Sequence, residues 1–564
     1  MRDGVALRQD LYMPDNDIAY PVILMRTPYG KENFAKERIY ADYKKLVDNG
    51  YTIVIQDVRG TGASDGMLKS TAVSEYADGF DTVNDLASRP YCNGIIGMYG
   101  LSYHGFTQLA AASLAPGALR CICPFEIAAL VPFGGSTQRT IGGYHLYWLY
   151  GQALSRLPRM GLTTEKEMAL RLKLLSNQER LPDLLKHLPL RETPAANIPE
   201  IPLLQEYVEL VDGMEDDSFW KMICRPTDFS QMTTPMLHLT GWFDVALNGT
   251  LDNYTEACNH STITCRMNQW LIIGPWCHGG MLDGTLEGEY FGPDADGLAI
   301  DVPGIMKIFF DAFLRNDTEP LMRIPRVQYF QLGENAWHTA EKWPPSSSIE
   351  ETVFISKNGE LSFNSVKETE CKLSFRYDPS DPYPSAMTDD QGRYLLADRR
   401  KLLGRTDALQ FRMPARTTSL CIAGRLRMCL FAQSTAIDTD FVCIISDEAP
   451  DGMVRQLTFG LTRGRFRHGT KPDALIPGVC EVIDVDMGNI AHTVLPGHRL
   501  LLTITSSYYP LHNANLNDGL PAGYGKCPVI AQQTIWMDCY HPSRLCIPVI
   551  HEPSSENTIW EGYL

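Results

Sequence analysis

The stretch Ile96-Gly97-Met98-Tyr99-Gly100-Leu101-Ser102-Tyr103-His104-Gly105 runs apolar to a glycine, presents a serine and restarts as a helix. That order describes a strand-to-helix turn sharp enough to need small neighbours, with Ser102 at its apex. Such a turn holds Oγ clear of a parallel sheet and points it at the N-terminal end of the following helix. The spacing departs from Gly-x-Ser-x-Gly, because His104 stands where the second glycine is expected and Gly105 comes one place later. Alone, the pattern fits equally a serine that caps a helix after a glycine turn. The rest of the chain has to decide.

Around this turn the sequence alternates. Residues 21–26 read as a strand, a charged helix ends at Asn49-Gly50, and residues 51–55 read as a second strand. Residues 76–88 carry helical periodicity, the Ser102 strand and a helix through residues 108–112 follow, and residues 119–124 are strand-like again. Strands alternating with helices predict a parallel sheet covered on both faces. From about 136 to 228 leucines recur at helical spacing among Lys, Arg and Glu, which predicts a helical insertion. Strand patterns return at residues 235–240 and 269–273, and an amphipathic helix over residues 305–314 closes the unit. Beyond about 325, short alternating runs at residues 420–431, 441–445 and 499–505 lie between Gly/Pro/Asp turns and predict a β-sandwich. The predicted fold class is α/β. The α/β core occupies residues 1–135 and 231–322, a helical cap 136–230, and a C-terminal sandwich 323–564.

Bulk properties narrow the function. At 564 residues the chain exceeds one ordinary domain, and 44% hydrophobic with 21% charged residues is ordinary for a globular protein. A formal net charge of −17 argues against nucleic acid or an anionic membrane as partner, since both are bound through excess Lys and Arg. No run reaches the roughly 18 apolar residues of a membrane span, and Met1-Arg2-Asp3-Gly4 does not resemble a signal peptide. The 15 cysteines are scattered, without paired Cys-x-x-Cys clusters. They read as small hydrophobes in a reducing, cytoplasmic setting, with no metal and no organic cofactor expected.

A serine nucleophile needs a base to take its proton and an acid to orient that base. The first strand after the insertion ends at Gly241-Trp242-Phe243-Asp244, and the next at Gly274-Pro275-Trp276-Cys277-His278-Gly279-Gly280. Asp244 and His278 thus fall just past the carboxyl ends of buried strands, where an open α/β sheet builds its site, and in the order Ser, Asp, His. Each residue singly is an ordinary cap or loop residue; together they select a triad. His104, inside the following helix, His238, inside a strand, His260, in a polar loop, and Asp252 match this logic less well. The oxyanion needs two donors. The Tyr103 backbone N–H, next to the nucleophile, supplies one. The loop Arg26-Thr27-Pro28-Tyr29-Gly30-Lys31 offers the Tyr29 hydroxyl as the other, although by itself Tyr29 is a turn tyrosine. Trp242 and Trp276 flank the acid and base, where they either line a substrate pocket or pack under the loops.

Gly100-Leu101-Ser102-Tyr103-His104-Gly105 resembles the Gly-x-Ser-Tyr-x-Gly of the cocaine esterase and X-Pro dipeptidyl-peptidase-type hydrolases. Met1–Val5, Pro28-Tyr29, the Asp57–Gly66 loop, the Asp244 and His278 motifs and Tyr377-Asp378-Pro379-Ser380-Asp381-Pro382 are similar to stretches of the same family. The resemblance spans nearly the whole chain. It implies an α/β-hydrolase core, a helical cap and a C-terminal jelly roll. It also implies Ser102 as nucleophile, His278 as base, Asp244 as orienting acid, and Tyr29 with the Tyr103 N–H as oxyanion hole. The Asp57–Gly66 loop is read as structural.

Three functions remain open on the sequence. The first is hydrolysis of a small or medium-sized carboxylic ester through an acyl-enzyme. The second is amide cleavage by an acylase, α-amino-acid ester hydrolase or X-Pro dipeptidyl-peptidase, for which Glu215, Asp216 and Asp217 are the available amine-binding carboxylates. The third is acyl transfer, rearrangement or simple binding on the same scaffold. The expected partner is the small-molecule substrate, and sandwich-bearing members of such families often form homo-oligomers.

Overall fold

The computed structural model describes residues 1–34, 43–69, 72–127, 139–219, 229–282, 284–286, 288–385 and 398–551. Its central sheet contains β1 (Gln9–Tyr12), β2 (Tyr20–Thr27), β3 (Thr52–Asp57), β4 (Cys92–Leu101), β5 (Leu119–Phe125), β6 (Met236–Phe243) and β7 (Gln269–Cys277). A small hairpin, β8 (Thr285–Leu286) with β9 (Glu289–Tyr290), leads on to β10 (Val327–Gln331) and β11 (Ala336–Ala340). The nine strands of the sheet run β1-β3-β2-β4-β5-β6-β7-β10-β11, antiparallel only at the two edges. The inner strands are buried on both faces, which is why they read as apolar runs rather than alternations.

Helices Ser74–Ala87 and Tyr103–Ala112 cover one face of this sheet, and Val302–Arg315 lies in the hydrophobic cluster on the other. The sheet extends past residue 322, where the sequence pattern had ended the core. Val327–Gln331 adds to β7 in parallel and Ala336–Ala340 closes the edge. These two strands are only five residues each, too short for periodicity to separate them from the sandwich strands that follow.

The insertion is helical, as its leucine spacing predicts: Gly143–Arg156, Thr164–Glu179 and Gln205–Gly213 bury Leu146, Leu149, Leu174, Tyr207 and their neighbours in one cluster. Arg156 reaches down to donate to the Gly60 carbonyl at 2.5 Å, tying this cap to the Asp57–Gly66 loop. That loop is held from within as well. Asp57 accepts from the Lys31 and Ala63 amides at 2.7 Å each, and Arg59 pairs with Asp78 and Asp3.

The C-terminal part is a sandwich of a seven-stranded and a four-stranded antiparallel sheet. Its long strand Leu420–Ser434 pairs with Glu481–Val494 around a bulge. The sandwich does not hang from the core by a linker: Trp242, Tyr329 and Phe330 share one apolar cluster with Leu426, Met428 and Ile490. Leu332 also bridges by backbone to Ala491 and Thr493. Among the described residues no helix is long and apolar enough to cross a membrane. None of the 14 described cysteines forms a disulfide, and seven are buried.

Candidate active site

Ser102 sits between β4 and the helix Tyr103–Ala112 at φ 60°, ψ −125°, a strained conformation for a serine. Its N–H donates to the Phe125 carbonyl at 2.9 Å and its carbonyl accepts from Phe106 at 3.1 Å, so strand and helix both pin the turn. Gly100, at φ +139°, has no room for a side chain, since a Cβ would stand 2.5 Å from that of His104. The displaced second glycine has an equally local cause. A Cβ at Gly105 would meet Ile127 at 3.0 Å and the Phe125 carbonyl at 3.1 Å, so close packing on β5 falls at position 105. Position 104 has space for an imidazole, which is buried with its Nε2 3.0 Å from Thr27 Oγ1. Burial lowers the His104 pKa to about 4, keeping it neutral and outside proton transfer.

Ser102, His278 and Asp244, drawn from three strand ends, meet in one chain of hydrogen bonds. His278 Nε2 lies 3.0 Å from Ser102 Oγ, and its Nδ1 lies 2.8 Å from Asp244 Oδ1. Asp244 is fixed in turn. Its Oδ1 accepts the Ala246 amide at 2.8 Å and its Oδ2 accepts the Thr240 hydroxyl at 3.0 Å. Burial opposes a charged His278, but the Asp244 carboxylate, by charge and hydrogen bond, outweighs it with help from Glu126 and raises the histidine's pKa to about 9.

The Tyr29 side chain stands over Ser102. Its hydroxyl accepts the Trp148 indole N–H at 3.1 Å and hydrogen-bonds Ser102, while its ring packs edge-on against His104 at 5.3 Å. Burial pushes its pKa up, so the phenol keeps its proton. Tyr103 opens the helix, where a backbone N–H has no partner within the helix. The Tyr103 side chain points elsewhere: its hydroxyl donates to Glu75, which forms a fully buried ion pair with Arg26 at 2.7 Å. Its ring stacks on Trp148 at 5.9 Å, and Trp148, from the cap helix Gly143–Arg156, thus touches both Tyr29 and Tyr103.

The two tryptophans next to Asp244 and His278 are buried. Trp242 is buried against Trp343 and donates to the Phe330 carbonyl at 2.6 Å. Trp276 is buried against Trp337 and donates to the Ala295 carbonyl at 2.7 Å. Strand-end position placed them near the site in sequence, but Trp242 packs in the cluster shared with the sandwich and Trp276 in the one that holds Val302–Arg315. His238 pairs with Gln269, His260 with Glu256 and Asp252 with the sandwich residue Arg425, all apart from the triad.

Sequence reasoning missed Trp148 and Glu126. Trp148 lies in the cap, where no strand-end rule applies. Glu126 follows β5 directly, and the rule that found Asp244 would have found it. With Asp244 and His278 it is the one described group of acids and histidines compact enough for a metal, its ligand atoms lying within 4.8 Å. His278 and Asp244, however, spend those atoms on Ser102, Thr240, Ala246 and each other.

The chain is similar to known proteins along nearly its whole length. Residues 3–280 match the model of X-Pro dipeptidyl-peptidase (S15 family), and residues 321–546 match that of the X-Pro dipeptidyl-peptidase C-terminal non-catalytic domain. Cocaine esterase of Rhodococcus sp. is 30% identical, over 98% of this chain and 97% of its own length. The chain belongs to the S15 and cocaine esterase family of serine hydrolases. Among solved structures, an aminopeptidase from a marine sediment Thaumarchaeota archaeon shares the fold with a TM-score of 0.80 at 24% identity, covering 98% of this chain and 95% of that one. An α-amino acid ester hydrolase does so with a TM-score of 0.72 at 22% identity, covering 97% and 95%.

Proposed function

We propose that this serine hydrolase cleaves a carboxylic ester of a small or medium-sized molecule through a Ser102–His278–Asp244 triad. The observation that carries the reading is the continuous chain of contacts, 3.0 Å from Ser102 Oγ to Nε2 and 2.8 Å from Nδ1 to Asp244, ending on a strained strand-to-helix turn. His278 takes the Ser102 proton as Oγ attacks the carbonyl. The Tyr29 hydroxyl and the Tyr103 amide receive the developing oxyanion, in the manner of preorganised donors. His278 then protonates the leaving alcohol, and water, activated by the same imidazole, releases the acid. None of these steps calls on a metal or an organic cofactor.

Ester cleavage is favoured over recognition of a free α-amine by the fate of the cap carboxylates. Glu215 is paired with Arg465 at 3.0 Å and Asp217 with Arg139 at 2.5 Å. Asp216 is exposed and bonds to Ser218. The paired groups tie cap to sandwich and neighbouring cap instead of offering charge to a substrate. A panel of esters, amides and amino-terminal dipeptide substrates, assayed with and without competing free amino acids, tests this. Ester turnover indifferent to the amino acids is expected; faster turnover of α-amino amides, with competition, would replace ester by amide cleavage.

A further inference from the structure

Glu126 stands one residue beyond β5, between the strand that presents Ser102 and the strand that presents Asp244. It is 1% exposed and held at φ +47°, a left-handed conformation that costs a non-glycine residue stability. Its amide donates to the Leu239 carbonyl at 2.7 Å, so β6 fixes that conformation. Its Oε2 accepts the Gly279 amide at 2.6 Å and lies 3.6 Å from His278 Nδ1. Its Oε1 is buried without a hydrogen-bond partner. A capping acceptor for one amide does not need a buried carboxylate with an unspent oxygen, which is costly. The triad as described does not use it either, because Asp244 already receives Nδ1.

We propose that Glu126 is a second positioning acid for His278, holding the histidine loop through the Gly279 amide and sharing with Asp244 the support of the imidazolium. This rests on the triad reading. No proton passes to either acid during attack. The Ser102 proton moves to Nε2, and Nδ1–H stays between Asp244 Oδ1 and Glu126 Oε2.

The charged groups acting on Glu126 are Asp244, from the loop after β6, and His278, from the loop after β7. Burial first, and then the Asp244 charge, push the Glu126 carboxyl up to about 8, against the pull of His278 and the Gly279 amide. Glu126 and His278 therefore titrate as a pair. Whenever the imidazole is charged, an ionised Glu126 beside it is favoured.

The test is a set of variants of the full chain, each checked for fold by circular dichroism and thermal melting. Glu126→Gln keeps the acceptor for Gly279 and removes the charge. Its kcat should fall about 3–10-fold, and the acid limb of kcat/KM should move to lower pH by about one unit, since a nearby carboxylate raises the pKa of a histidine. Asp244→Ala should lose about 10²-fold, and the double variant about 10⁴-fold, the loss expected when a triad histidine has no acid. That exceeds the product of the single losses. Should Asp244→Ala unfold, Asp244→Ser, which also removes the carboxylate, supplies the same cycle. An unmoved pH profile in Glu126→Gln, with activity lost only in Glu126→Ala, would reduce Glu126 to a loop cap. A double loss equal to the product of the singles would also overturn the proposal. Ser102→Ala and His278→Ala separate the two failures: if both are inactive, the triad reading stands whatever the cycle shows.

Discussion

Replacing Tyr29 by phenylalanine isolates the proposed oxyanion donor. The ring keeps its edge-on contact with His104, and the backbone of the Pro28–Gly30 turn is unchanged. What goes is one hydroxyl. Trp148 donates to the Tyr29 oxygen at 3.1 Å, which leaves the phenolic hydrogen unused by that contact. Losing one preorganised oxyanion donor costs about 10²–10³ in kcat, or about 3–4 kcal/mol of transition-state stabilisation. The folded state loses only the hydroxyl's contacts with Trp148 and Ser102, about 1 kcal/mol each. Steady-state kinetics on one good ester, with a thermal melt in parallel, should therefore show a large fall in kcat, a little-changed KM and a small drop in Tm. Trp148→Phe keeps the stack on Tyr103 but frees the Tyr29 hydroxyl to rotate, and should cost about 10-fold, the worth of one hydrogen bond. The reasoning fails if Tyr29→Phe turns over within threefold of the parent, or if folded Trp148→Phe is the more damaged of the two.

Thr240→Val removes the hydroxyl that Asp244 Oδ2 accepts at 3.0 Å, and should cost about 1.5–3 kcal/mol of stability together with about a tenfold loss in kcat. Unaltered kinetics and melting would show that Asp244 is held without it. Four histidines set an acid limit on stability. Burial lowers the pKa of His104, His145 and His238 to about 4, and that of His512 to about 3, below the usual 6.5. Below pH 6.5 the unfolded chain binds protons that these folded sites refuse, so their contribution, complete above 6.5, is lost as the pH falls toward 4. The slope approaches about 5 kcal/mol per pH unit for four such groups. Melting followed from pH 7.5 to 5 should show Tm falling steeply below 6.5; a flat profile would contradict the burial argument.

Much of this was legible in the sequence because it rests on short-range order. The elbow, the strand-end Asp244 and His278, and the parallel core follow from apolar runs stopped by glycine and restarted as helix. The unreadable parts depend on contacts distant in sequence. Trp148 reaches Tyr29 across 119 positions, and nothing near either residue announces the pair. Trp242 and Trp276 looked like pocket residues because sequence gives proximity along the chain but not the face of the strand. Glu215 and Asp217 looked like free carboxylates because their partners Arg465 and Arg139 lie elsewhere in the chain. The edge strands Val327–Gln331 and Ala336–Ala340 carry too few residues to declare which sheet they join.

The central claim is that Ser102 carries the acyl group, and rapid-quench intact-mass analysis with a turned-over ester tests it most directly. The parent enzyme should gain the mass of the acyl moiety within the first turnover, mapped by proteolysis to the peptide containing Ser102. Ser102→Ala should gain none and should also resist a fluorophosphonate. An acyl group found on another residue, or full turnover by Ser102→Ala, would contradict the account.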